Sequence, residues 1–143
     1  MTLLEAIYGS QYQEISQRGG DGSKGRFNGN LLISVMLLLL LLTVIFVLML
    51  IPGMNESMTR SMRGFSGSMS GKTMGKLLAI PVLFILVALA NFTIGTKNNY
   101  NRIIERFNSY PEEVRRKANK KVLIAFFSIF GIMILTVILL VTR

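Results

Sequence analysis

The chain contains no cysteine, no histidine and no tryptophan. Without thiols there is no disulfide, no thiolate nucleophile and no zinc–thiolate or iron–sulfur centre. Without imidazole there is no histidine general base and no imidazole ligand for haem or metal. Acidic residues are scarce as well: seven Asp and Glu stand against sixteen Lys and Arg, for a formal net charge of +9 over 143 residues. Most redox and hydrolytic chemistry is closed to such a chain acting alone. The expectation is therefore a protein that is not an enzyme and carries no cofactor.

Apolar residues are abundant, and they fall in three uncharged runs. The first, Leu31 to Ile51, holds only Ser34 and Thr43 as polar residues and is stopped by Pro52-Gly53. About 21 helical residues cover roughly the 30 Å of a hydrocarbon core. Two similar runs extend from about Leu77 to Thr96 and from about Val122 to Thr142. A chain this short cannot bury three such cylinders inside a soluble core. The fold class read from the sequence is an all-α integral membrane protein with three transmembrane helices, at 31–52, 76–97 and 122–142. The polar first thirty residues do not read as a cleavable signal peptide, so the first span is expected to direct insertion.

Basic residues orient the spans. Arg18, Lys24 and Arg26 precede the first, and Lys97, Arg102, Arg106, Arg115, Arg116, Lys117, Lys120 and Lys121 lie between the second and third. These make eleven, against Arg60, Arg63, Lys72, Lys76 and Arg143 on the opposite side. The positive-inside rule then places the N-terminus and the second loop in the cytoplasm, and the C-terminus outside, most naturally in a cytoplasmic membrane.

The second loop, 98–121, carries helix signals of its own. Tyr100, Ile103, Ile104 and Phe107 share one helical face. Ser109, Pro111 and Glu112 read as the start of a new helix with a capping box. Glu112–Arg116 and Glu113–Lys117 are i, i+4 pairs in the favourable order. With no helix breaker from Thr96 to Phe107, span two is expected to run straight out of the membrane and span three to return. The two would form a long antiparallel hairpin with arms of about 50 Å, some 15 Å of each in the cytoplasm. Ile103, Ile104 and Phe107 should then pack on Val114 and Ala118.

At the N-terminus, residues 1–18, Thr2 and Glu5 form a possible capping box, and Leu4, Ile7, Tyr8, Tyr12 and Ile15 make an apolar stripe. The stripe is too short to span, so it is expected to lie on the membrane surface or against a partner. The glycine-rich stretch 19–30 reads as a flexible linker.

Candidate sites are few. In the outer loop, 53–75, Met54, Met58 and Met62 are spaced four apart. Thioethers suit Cu(I), but Arg60 and Arg63 repel a cation, and Met also serves as an adaptable apolar surface. Gly67-Ser-Met-Ser-Gly71-Lys72-Thr73 falls one residue short of a phosphate-binding loop and follows no strand. Within the spans no ionisable residue marks an ion path. Asn91 stands out as an amide that either takes a partner across a helix interface or sits near the cytoplasmic headgroups. Arg115, Arg116, Lys117, Lys120 and Lys121 are expected to contact anionic lipid or an acidic partner. No fold or aromatic pattern points to nucleic acid. Two main function classes follow: an accessory or scaffold subunit of a larger membrane assembly, partnered by other integral membrane proteins, or a homo-oligomeric pore-forming or membrane-perturbing protein. Copper handling is a weaker third.

Overall fold

The structure, a computed structural model, describes residues 1–54, 56–57, 60–61 and 71–142, with the backbone alone for 71–78. Met58 and Met62 lie outside the described residues, as does most of the outer loop, and Met54 is exposed.

The described residues form helices with no strand. α1 is Leu3–Gln17, and its start is the expected capping box: the Glu5 amide donates to Thr2 Oγ1 at 3.2 Å and the Thr2 amide to Glu5 Oε2 at 2.7 Å. Two N–H groups that a helix start would leave open are thus satisfied reciprocally. Gly19, at φ 73°, lets the chain reverse after α1. Asp21 Oδ1 then accepts from the Ser23 amide and caps one 3₁₀ turn, Gly22–Lys24.

α2, Gly25–Met49, follows at once. Residues 25–30 are therefore helix rather than linker. The reason is packing: a Cβ at Gly29 would overlap the Tyr8 ring, and one at Gly25 would crowd the α1 backbone at Tyr12. These glycines, spaced i and i+4, let α1 lie close against α2.

α3, Gly71–Phe92, contains Pro81. α4, Lys97–Ser109, leaves α3 at 72° across the break. The second apolar run does not continue straight on to Phe107. The chain turns at Gly95, where a Cβ would overlap the Asn30 side chain, and the Gly95 amide donates back to the Ala90 carbonyl at 2.7 Å. Asn99 Nδ2 donates to the freed Ile94 carbonyl.

α5 is Glu112–Val141. Its N-cap is Pro111, and Ser109 instead finishes α4, donating through Oγ to the Arg106 carbonyl. The Glu112–Arg116 pair forms at 2.7 Å. Among the described residues Glu113 and Lys117 do not pair.

Among the described residues two segments, Gly22–Met49 and Glu112–Val141, are long and apolar enough to cross a membrane, and Ala79–Phe92 with α4 qualifies only as a bent pair. In the apolar half α2 packs between α3 and α5. At the other end α1 lies across α2, α4 and α5. The core there joins Ala6, Ile7 and Tyr8 of α1 to Ile33 and Met36, to Tyr100, Ile104 and Phe107, and to Ala118 and Val122.

Candidate functional site

The polar end of the molecule is a cap built around α1. Ile7 and Tyr8, expected to face lipid or a partner, are buried in the chain itself, while Leu4 is exposed and Tyr12 half-buried. The apolar faces of α4 and α5, expected to meet directly, are joined through α1. Phe107 lies over Gly9, where a Cβ would overlap its ring, and Ala118 is fully enclosed. Ile104 is buried, and Ile103 and Val114 are half-buried. The physical cause is the 72° turn: it carries α4 away from the line of α3 and lets α1 occupy the space between the arms.

A buried polar seam ties the cap to the apolar helices. Tyr8 Oη donates to Asn30 Oδ1 at 2.5 Å, and Asn30 Nδ2 donates to Asn91 Oδ1. Asn30 has no solvent exposure. Asn91 thus finds the cross-helix partner that an amide in an apolar run requires. Ser34 Oγ bonds the Asn30 carbonyl, and Tyr100 Oη reaches the Gly22 carbonyl at 2.7 Å. The Tyr8 and Tyr100 rings meet edge to face, centroids 5.5 Å apart. Burial pushes both phenols up to about 12, because the phenolate would lose its hydration.

Further bonds fasten the start of the chain to Tyr110 and to the first part of α5. Lys121 Nζ donates to the Met1 carbonyl at 2.6 Å, and Tyr110 Oη donates to Glu5 Oε2 at 3.2 Å. The backbone N–H of Thr2 holds the Glu5 carboxyl below its ordinary value, against the opposing effect of burial.

The cap carries eleven Lys and Arg. Among the described residues only two ion pairs form, Glu14–Arg18 and Glu112–Arg116, and both are exposed. Lys117 and Lys120 are exposed without a carboxylate in reach, so the α5 entry segment presents uncompensated charge.

Arg115 differs from its neighbours. It is half-buried, its Nε has neither solvent nor a hydrogen-bond partner, and it lines two open grooves of about 270 Å³ each. One groove runs between α1 and α5 past Gln13, Gln17 and Asn119. The other runs between α1 and α4 past Tyr12, Phe107 and Asn108. Sequence reading put Arg115 in the basic cluster but missed the grooves, Asn30 and the close-packing glycines. The Gly25/Gly29 spacing was the available signal, hidden inside a stretch whose composition looked like a linker.

Comparison with protein-family models, with curated proteins and with solved structures found no match.

Proposed function

We propose that this chain is a three-span membrane protein that serves as a non-catalytic structural subunit of a larger membrane assembly, with its basic cap in the cytoplasm. In this reading α2, α3 and α5 cross the bilayer, and α1 with α4 and the start of α5 forms a rigid body at the cytoplasmic face. The observation that carries it is the contrast between the two ends. The cap is interlocked by Tyr8, Asn30 and Asn91, whereas the apolar helices leave large side chains open: Phe84 is 71% exposed, Phe92 82% and Leu135 61%. Surfaces of that kind need lipid or other membrane helices as solvent.

The uncharged spans offer no group for ion coupling. The eleven basic residues beside them favour cytoplasmic retention of this end. Lys117, Lys120 and Lys121, next to an anionic leaflet, each add about 1 kcal/mol of attraction. A rigid water-side platform on lipid-exposed helices suits a scaffold that holds other subunits in register.

Purification of the tagged chain in mild detergent, with native mass spectrometry of what remains bound, tests the proposal. Different membrane proteins at fixed stoichiometry are expected. A ring of identical chains that conducts in planar bilayers would replace this reading with that of a pore.

A further inference from the structure

We infer that the paired grooves around Arg115 receive an extended acidic segment of a partner subunit, with a carboxylate of that segment on the Arg115 guanidinium. The inference rests on the subunit reading above and names the partner's chemistry.

The argument begins with an unsatisfied donor. A guanidinium has five N–H donors and no acceptor, and leaving a buried donor unpaired is unfavourable. Arg115 Nε is in that condition, and among the described residues no side chain or carbonyl accepts from its guanidinium. Its neighbour Arg116 is by contrast held by Glu112 through two N–H groups. Arg26 of the cap is half-buried as well, but among the described residues the fully enclosed, unpaired guanidinium nitrogen is that of Arg115.

The lining indicates what kind of anion fits. Gln13, Gln17 and Asn119 border one groove, and Asn108 adds a further carboxamide in the other. Carboxamides donate and accept at once, which matches the alternating N–H and C=O groups of an extended peptide. Tyr12 and Phe107 supply apolar contact beside them. Two grooves sharing Gln13, Gln17 and Arg115 are far larger than one phosphate ion needs.

Position argues against a lipid headgroup. Arg115 lies seven residues before Val122, the start of the uncharged run, or about 10 Å along the helix. Side chains on a helix lean toward its N-terminus, which for α5 is away from the apolar half. Glu14 lines the groove between α1 and α5 and opposes an anion, though Arg18 pairs with it at 2.8 Å. That opposing charge gives the inference a second handle.

The test uses the full chain in neutral detergent and the anisotropy of a fluorescein-labelled peptide of alternating Glu and Ser. Arg115→Gln should weaken binding at least about tenfold, as loss of a charge-assisted bond implies. Lys117→Gln removes the same charge outside the grooves and should change it by less than about twofold. Arg115→Lys keeps the charge but not the planar fork, and should fall between. Glu14→Gln should tighten binding several-fold, which loss of folding cannot mimic. Equal weakening by Arg115→Gln and Lys117→Gln would reduce the site to diffuse charge and overturn the inference. So would displacement by inorganic phosphate at the peptide's own concentration, or binding that appears only in phosphatidylserine nanodiscs. Failure of the peptide with partner proteins still co-purifying overturns the groove assignment alone. Purification of the wild-type chain with no other protein overturns the subunit reading.

Discussion

Asn30 and Asn91 stand 61 residues apart in the chain, yet the side-chain amide of the first donates to the carbonyl oxygen of the second. The same Asn30 accepts from Tyr8, so one fully buried residue joins α1, α2 and α3. Replacing it with Ala strands both partners, and a buried polar group without a partner is costly. Asn30→Ala should lower stability in detergent by about 2–4 kcal/mol. Asn91→Ala in that background should cost less than it does alone, because the bond is already gone. Thermal unfolding of the single and double variants gives the coupling. Strict additivity would mean that the two amides do not act as a pair.

Two glycines predict opposite outcomes for the same substitution. A methyl group at Gly9 would overlap the Phe107 ring, which is enclosed at 1% exposure and cannot swing aside. Gly9→Ala should destabilise the cap by about 1–3 kcal/mol, the usual cost of overpacking. Gly131, in the middle of α5, has open space where its Cβ would go. Gly131→Ala should be neutral or stabilising by up to about 1 kcal/mol through helix propensity alone. Phe107→Leu should partly relieve Gly9→Ala and leave Gly131→Ala untouched. Thermal denaturation in one detergent ranks all of them.

These residues also mark how far the sequence could be read. The capping box at Thr2 and Glu5 is legible because it is local, three residues apart, and chemically specific. The apolar runs behind α2 and α5 are legible because lipid-length hydrophobicity needs no tertiary information. The face of Tyr100, Ile104 and Phe107 was visible as a face, but not the element it meets. Two candidates, the start of α5 and α1, lie at very different separations, and periodicity does not choose between them. The turn at Gly95 was hidden for the same reason: a glycine near the end of an apolar run reads as tolerable until Asn30 occupies the space beside it. Grooves are still further from sequence, since they are what remains after helices have packed.

Tyr8 and Tyr100 give the cap an alkaline limit. Burial raises each phenol to about 12, against about 10 for an open tyrosine. The unfolded chain therefore releases these protons at lower pH than the folded one. Stability from the pair is complete below pH about 10 and declines as pH rises through about 12. Alkaline denaturation of the cap should follow that window: in a Tyr12→Phe, Tyr110→Phe background, where Tyr8 and Tyr100 alone contribute, tyrosinate absorbance should rise together with loss of helical circular dichroism. The Tyr8→Phe, Tyr100→Phe double variant forfeits bonds to Asn30 and to the Gly22 carbonyl, so it should be less stable at neutral pH. Its stability should nonetheless fall less steeply with pH across the same window. Tyrosinate appearing well before the helical signal falls would show that the two rings are not enclosed.

A chain with no cysteine allows single cysteines to report which side of the membrane each segment occupies. Glu56, before α3, and Glu105 and Glu113, on α4 and α5, are all exposed and suit such probes. With the cap in the cytoplasm, cysteine at 105 or 113 should resist an impermeant maleimide added to intact cells and react once the cells are permeabilised. Cysteine at 56 should react in both conditions. The comparison between 56 and 105 bears on the bent pair, because among the described residues α3 is the apolar helix between them. Opposite labelling means that α3 crosses. Equal labelling means that it enters and returns on one side, so that the 72° break belongs to a re-entrant element and only α2 and α5 span. Labelling of 105 and 113 from outside, with 56 protected, would instead invert the orientation and set the basic cap against the positive-inside rule.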